Sequence, residues 1–363
     1  MLRKQSIRKQ SVNGTALMPD SGQTESRKAD HIRIVLGEDV AAKGVGTGFA
    51  AYRLPHRALP EIDLAEVDTR TTFLGKPLSA PLLISSMTGG AGVAAQINLA
   101  LAEAAEALGL PMGVGSQRAA VMDVRLAETY QVRRVAPRIP LLANLGAVQL
   151  NYGFGVDECQ RAVDMIEADA LILHLNPLQE AVQPEGNTNF KDLLPKIAQV
   201  CRALEVPVVV KEVGNGISAH DARRLYDAGV RAIDVAGAGG TSWSEVERFR
   251  QPDDNGRRVA GAFADWGLPT TECVREVRAA LPEATVIASG GVRSGVDVAK
   301  AIALGADLAG TAKPALVDAI NDRGAEAVIE GLQNFIRELR VAMFCAGCVD
   351  LAALRQVGVV YRG

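Results

Sequence analysis

The chain predicts an α/β fold, a single barrel of eight strand–helix units, on three observations. Short apolar runs recur eight times, and amphipathic segments of helical spacing fill the intervals. The runs also end in polar residues, which would meet in one place if the strands closed into a ring. A doubly wound sheet is the competing arrangement. No G-x-G-x-x-G follows the first run, which counts against a dinucleotide-binding version of it.

In order, the runs are PLLISSM (from Pro81), PMGVGS (from Pro111), PLLANLG (from Pro140), ALILHLN (from Ala170), VPVVVKEV (from Val206), RAIDVAGAG (from Arg231), ATVIASGG (from Ala284) and ADLAGTAK (from Ala306). Each is a largely apolar stretch of strand length, as expected for strands buried on both faces. Most starts lie about 20–35 residues apart, the length of one strand–helix unit. Ile97, Leu101, Ala105 and Leu108 keep helical spacing, and Gly109 closes that helix. Ser218 with Asp221, and Ser294 with Asp297, read as capping pairs that open helices after the fifth and seventh runs. The sixth interval is too long. Its SEVERFRQPDDNGRR, with a turn signal at 252–256, predicts an insertion after strand 6 that serves as a lid or subunit contact.

Before Pro77, RKADHIRIVLGEDVA predicts an N-terminal helical arm, and AVIEGLQNFIRELRVAM (327–343) predicts a final helix. The organisation that follows is a disordered basic extension over 1–26, one barrel domain with its arm over 27–343, and a C-terminal tail over 344–363. In full, this is a (β/α)8 TIM barrel with an N-terminal helical arm and an insertion after strand 6.

Composition narrows the function. The chain of 363 residues is 48% hydrophobic but only 4% aromatic, with a net charge of −3, so neither a stacking surface nor a basic field favours nucleic acid or an anionic membrane. The first residues are basic (Arg3, Lys4, Arg8, Lys9) without an apolar core for secretion, and no run is long enough to span a membrane. Five unpaired-looking cysteines suit a reducing compartment, so a cytoplasmic location is expected. Cys345 and Cys348 form a lone C-x-x-C without the further ligands that a zinc site needs, and read as plain thiols.

The polar strand ends are Thr88, Ser116, Asn144, His174 with Asn176, Lys211, and Thr241. Any one of them could simply terminate a strand, but together they predict one pocket at the C-terminal mouth of the barrel. SGGVRSG (289–295) and AGTAKP (309–314) end strands 7 and 8, where glycine lets backbone N–H groups and a helix N-terminus hold a phosphate, with Arg293 beside them. Lys211 could form a Schiff base or support an electron-rich ring; beside a phosphate-tailed cofactor, the edge of a flavin is the better reading.

At this point RKADHI (27–32), SSMTGG (85–90), GVGSQR (113–118), HLNPLQE (174–180), VKEVGNG (210–216), DVAGAGGTSW (234–243) and SGGVRSG together resemble the type 2 isopentenyl-diphosphate isomerases. They run in order over nearly the whole chain from Arg27. The resemblance implies interconversion of isopentenyl and dimethylallyl diphosphates in isoprenoid biosynthesis, with FMN active in its reduced form, Mg2+ assisting, and NAD(P)H as reductant of the flavin. It assigns FMN contacts to Ser85, Met87, Thr88, Ser116, Asn144, Lys211, Thr241, Gly291, Val292, Arg293, Ala312 and Lys313. It assigns the diphosphate to Arg27, Lys28, Ser116, Gln117 and Arg118, with His174 and Asn176 near it. Gln179 is similar to the family's substrate-facing glutamine and Glu180 to its Mg2+ ligand.

The residue types suit that chemistry. Arg and Lys neutralise a diphosphate, and His31, one helical turn beyond Lys28, would join them in a clamp. Mg2+ takes one or two carboxylates plus phosphate oxygens, as a single Glu180 would allow. Moving a double bond requires one proton delivered and one removed, with no net redox change. Gln179 cannot titrate, so orienting the substrate or relaying a proton through water is its expected part; with His174 and Lys211 it forms the catalytic group. His56 and His220 read as structural. An FMN-dependent 2-hydroxy-acid oxidase or dehydrogenase is the alternative on the same barrel, but it wants a histidine base after the later strands, and none follows His220. A flavin- or diphosphate-binding protein without turnover is the non-enzyme alternative. A homo-oligomer is expected.

Overall fold

A computed structural model describes residues 21–87 and 92–362, with side chains from Arg27 onward. Eight parallel strands close into a ring in chain order: β1 (Leu82–Ile84), β2 (Met112–Gly113), β3 (Leu141–Gly146), β4 (Ala170–Leu175), β5 (Val208–Glu212), β6 (Ala232–Asp234), β7 (Thr285–Ala288) and β8 (Leu308–Thr311), with β8 pairing back to β1. The predicted fold is the observed one. Helix Val93–Leu108 ends on left-handed Gly109, and the Ser218 and Ser294 side chains accept from the Asp221 and Asp297 N–H groups as N-caps.

Strand side chains alternate between two environments because successive Cβ atoms point to opposite faces. Leu83, Leu142, Ile172, Val209, Ala232, Ile287 and Leu308 fill the inside of the ring together with Ala170. Their neighbours, among them Leu82, Leu141, Leu171, Val208 and Ile233, pack outward against the helices. A hairpin of Thr71–Phe73 and Lys76–Leu78 adds Phe73 and Leu78 to the inner cluster and so plugs the bottom of the ring. Each large inner aliphatic contributes about 1.5–3 kcal/mol by burial.

Two arginines tie the bottom together in the same way on opposite sides of the ring. Arg133 donates to the carbonyls of Ala136 and Ile139 and to Asp169, whose Oδ2 also accepts from Leu141 N at the start of β3. Arg278 donates to the carbonyls of Ala284 and Gly305 and to Asp307, whose Oδ2 accepts from Val286 N in β7. Replacing Arg278 by Ala leaves those acceptors without the guanidinium and should cost about 2–3 kcal/mol. Denaturant unfolding checks this: the midpoint should fall while the site at the far end of the barrel stays intact, and an unchanged midpoint would contradict the role.

The insertion after β6 forms two helices, Trp243–Arg250 and Asp254–Gly261, the first of them packed against the arm helix Ser21–Gly37. The arm helix thus begins within the segment expected to be disordered over 1–26. The segment expected as a tail is also folded. The helix expected to be final runs Ala325–Cys345 but is followed by another, Leu351–Val357, which buries Leu351 and Leu354, and Val360–Tyr361 pairs antiparallel with Tyr52–Arg53. Cys345 and Cys348 are free thiols. No helix among the described residues is long and apolar enough to cross a membrane.

Candidate active site

Two residues beyond each inner aliphatic, the same face of the strands turns polar. Ser85, Asn144, His174, Lys211, Asp234 and Ser289 follow Leu83, Leu142, Ile172, Val209, Ala232 and Ile287; with Gly310 they form the floor of the barrel mouth, all lining the cavity except Asp234, which lies just behind. His174 Nδ1 lies 2.8 Å from Asn144 Oδ1, while the Asn144 amide nitrogen donates to Val114 O (3.0 Å). Asn144 therefore presents an acceptor, His174 carries its proton on Nδ1, and Nε2 keeps its lone pair. Burial, then the charges of Lys211 and Arg27, push the His174 pKa down to about 4. Lys211 Nζ donates to Glu212 O at 2.8 Å and stands 3.8 Å from Asp234 Oδ2.

On one side of this floor lie the glycine turns. Gly290 and Gly291 have φ of +100° and +72°, and a Cβ on either would strike the 237–239 backbone or Thr47 within 3 Å, so only glycine fits. Gly291, Val292, Arg293, Ala312 and Lys313 line the cavity there, as do Ser85, Met87, Ser116 and Thr241 nearer the floor. Thr88 lies outside the described residues.

On the other side the arm helix brings Arg27, Lys28 and His31 over the mouth, opposite Arg118 and the segment 174–180. Arg118 is buried. Burial, then the nearby Arg27 charge, lowers its pKa, and Glu180 opposes this. Two guanidiniums brought together in a half-dry cavity make an anion site. Lys28 Nζ donates to Ser116 O (3.1 Å) and to the hydroxyl of fully buried Tyr130 (2.6 Å).

Glu180 is buried at the end of this wall, its oxygens accepting from Asn176 Nδ2 (3.0 Å) and Asn187 N (2.5 Å). Two other buried oxygens of the lining, Asn176 Oδ1 and Gln149 Oε1, find no donor among the described residues. No group of three or more His, Cys, Asp or Glu among the described residues could hold a metal by itself. A cation here would draw on Glu180, neutral oxygens and its ligand, the coordination Mg2+ favours.

The insertion supplies a hub. Glu247, fully buried, accepts from His31 Nε2 (2.9 Å), Gln179 Nε2 (3.2 Å) and Arg250 Nη1 (2.6 Å). Gln179 Oε1 in turn accepts from Asn176 Nδ2 (3.1 Å). His31 thus faces Glu247 and the edge of Trp243, at 5.0 Å between ring centroids, although it borders the cavity. Of the predicted site residues in the described region, only Gln117 is kept out of the lining. It is fully buried beneath, donating to Ala162 O (2.8 Å) and accepting from Asn144 N (2.9 Å), so its amide supports the floor from behind. His56 and His220 are exposed away from the site.

Sequence reasoning missed Asp234, Glu247, Gln149 and Tyr130. Asp234 was findable, since counting two from Ala232 along RAIDVAG puts a carboxylate on the inner face. Glu247 was not, because its partners on the arm and after β4 lie 216 and 68 residues away.

The chain matches the FMN-dependent dehydrogenase family over residues 23–135 and 174–360. It is 59% identical over 335 residues to an isopentenyl-diphosphate delta-isomerase of Synechocystis sp., covering 92% of this chain and 95% of the relative. It is 55% identical to another of that name from Nostoc sp., covering 94% and 97%. Among solved structures, a mandelate oxidase variant with the monooxide FMN adduct shares the fold at a TM-score of 0.62 and 22% identity, over 93% of this chain and 92% of that one. The chain belongs to the FMN-dependent dehydrogenase family and, within it, to the isopentenyl-diphosphate delta-isomerases.

Proposed function

We propose that this protein interconverts isopentenyl and dimethylallyl diphosphates on reduced FMN, with Mg2+ at the diphosphate and NAD(P)H as the reductant that keeps the flavin active. The observation that carries the reading is the pairing of Arg27 with buried Arg118 beside Glu180, over a floor whose polar groups are otherwise neutral or internally balanced. Such a site gathers charge for an anion at one end and leaves at the floor only a weak base, His174 Nε2, with its pKa pushed down to about 4.

The residues fit the cofactor. The glycine turns leave backbone room for a phosphate, and Lys211 stands where a ring over the floor would need a cation. When bound, reduced FMN supplies a ring nitrogen that can hold and release a proton. The chain's own groups do the rest. Arg27, Lys28 and Arg118 neutralise the diphosphate, Glu180 with the Asn176 and Gln149 oxygens fits Mg2+, and Gln179, fixed at both ends of its amide by Asn176 and Glu247, orients the alkene. Ser85, Met87, Ser116, Asn144, Thr241, Val292, Arg293, Ala312 and Lys313 would hold the flavin. A hydroxy-acid oxidase would need a free histidine base over the ring. Of the two histidines of the lining, His31 is bonded to Glu247, and His174 keeps a free Nε2 but, with its pKa pushed down to about 4, is a weak base. The reading includes a cytoplasmic homo-oligomer.

Purified protein with FMN, Mg2+ and reductant should interconvert the two diphosphates without consuming stoichiometric NAD(P)H. Stoichiometric oxidation of a hydroxy acid, or no turnover under reducing conditions, would sink the isomerase reading. Glu180→Gln should raise the Mg2+ concentration for half-activation about tenfold while flavin stays bound, in line with the loss of one charged ligand. Flavin loss in that variant would put Glu180 elsewhere.

A further inference from the structure

The floor holds one carboxylate with no place in the chemistry above. Asp234 sits on β6 in register with Lys211 on β5, and its side chain is 3% exposed against 10% for the lysine. Ser289 Oγ donates to Asp234 Oδ1 at 2.6 Å and Ala236 N to the same oxygen at 3.3 Å; burial raises the Asp234 pKa, while the Lys211 charge and these two donors favour the carboxylate. The Asp234 Oδ2 atom faces Lys211 Nζ at 3.8 Å. The other nearby acid, Glu212, is already satisfied: its Oε2 accepts from the N–H groups of Val213, Gly214 and Asn215 at 2.6, 2.7 and 2.5 Å. Asp234 is the carboxylate left to balance Lys211.

We propose that Asp234 is a positioning residue for the cofactor ring: its carboxylate is the counter-charge that holds Lys211 and sets how strongly the site favours the reduced flavin. The proposal rests on the FMN reading given above. Lys211 and Ser289 reach the cavity lining, whereas Asp234 stands one step behind them. It therefore acts on a bound ring through Lys211 rather than by contact. A buried ion pair is weak evidence for a stabilising device, since two apolar side chains of similar volume would often serve stability as well. Its use at this place is electrostatic. Reduction raises the electron density of the ring, and the share of the Lys211 charge already balanced by Asp234 is not available to stabilise it. In a nearly dry floor this competition is little screened.

The test is a redox titration of the FMN-loaded protein. Asp234→Asn keeps the shape and removes the charge, so the bound flavin should become easier to reduce, by about tenfold in the equilibrium, which is about 30 mV for a two-electron couple. Ser289→Ala removes the shorter of the two bonds to Oδ1, leaving that from Ala236 N, and concentrates the carboxylate charge on Lys211, so the potential should move the other way. A merely structural Asp234 would lower the unfolding midpoint and leave the potential where it was. An unchanged or lowered potential in Asp234→Asn overturns the proposal. If that variant does not fold, Ser289→Ala decides: a lowered potential supports the proposal and an unchanged one overturns it. Failure of the unaltered protein to take up FMN overturns the cofactor reading and this proposal with it, a result distinct from a bound flavin of unmoved potential.

Discussion

Glu247→Ala is expected to lower kcat/KM for the isomerisation about a hundredfold, the cost of a misplacement of about 1 Å at a reacting substrate. Glu247 touches three elements at once: the arm through His31, the segment after β4 through Gln179, and its own helix through Arg250. Assigning the Gln183 amide with its nitrogen on Glu247 (3.2 Å) and its oxygen on Arg27 Nη1 (3.1 Å) adds the arginine clamp to the same hub. Burial pushes the Glu247 carboxyl upward, but the His31 bond and the His31 and Arg250 charges bring it below the ordinary carboxylate range. It is therefore ionised at neutral pH, and its contribution to stability is lost only as pH falls through that depressed pKa. The alanine variant removes the acceptor of Gln179 and leaves Arg250 with Glu185 alone, at 2.7 Å. Steady-state kinetics at saturating flavin give the first readout, and a double-mutant cycle with His31→Ala the second. Coupling above about 0.5 kcal/mol between them is expected for groups in one network. Unaltered kcat/KM in Glu247→Ala would mean that Gln179 is oriented by something other than this hub.

The barrel was legible because its signal is local. Eight apolar runs such as VPVVVKEV are recognisable one at a time, and each helix start at Ser218 or Ser294 is written within four residues. The floor was half legible for the same reason. His174 and Lys211 interrupt apolar runs visibly, whereas Asp234 emerges only from the two-residue count along the strand from Ala232. What the one-dimensional pattern does not carry is which polar groups spend their bonding on each other. His31 lines the cavity one turn beyond Lys28, and its Nε2 also lies 2.9 Å from Glu247, a bond that no spacing along the chain predicts. Gln117 looked like a ligand contact until burial turned it toward Ala162 and Asn144. Both side chains occupy the right neighbourhood, and in both the partner that decides the role comes from a distant segment.

His174 shows how such a partner changes the chemistry expected of a residue. An exposed histidine near pKa 6.5 would meet a diphosphate partly as a cation at neutral pH. Burial, Lys211 and Arg27 instead hold His174 near 4, and Asn144 takes its Nδ1 proton, so Nε2 faces the cavity as an acceptor. The sign of the stability effect follows. Between about pH 6.5 and 4 the unfolded chain binds a proton at this position that the native protein refuses, so the His174 contribution is intact above 6.5 and is lost as pH falls through that window. In the reduced holoenzyme, kcat/KM should show no inflection near pH 6.5 that belongs to this residue. His174→Ala should lower kcat/KM about a hundredfold, as expected for loss of a group that fixes geometry in a closed site. His174→Gln, which keeps a polar group of similar reach, should recover part of that loss and leave the profile between pH 6 and 8 the same as in the unaltered enzyme. An acid limb near 6.5 that vanishes in His174→Gln would show that the imidazole charges on the way to the substrate. It would then be holding the diphosphate as a cation, and the neutral, Asn144-locked tautomer would not be the working one.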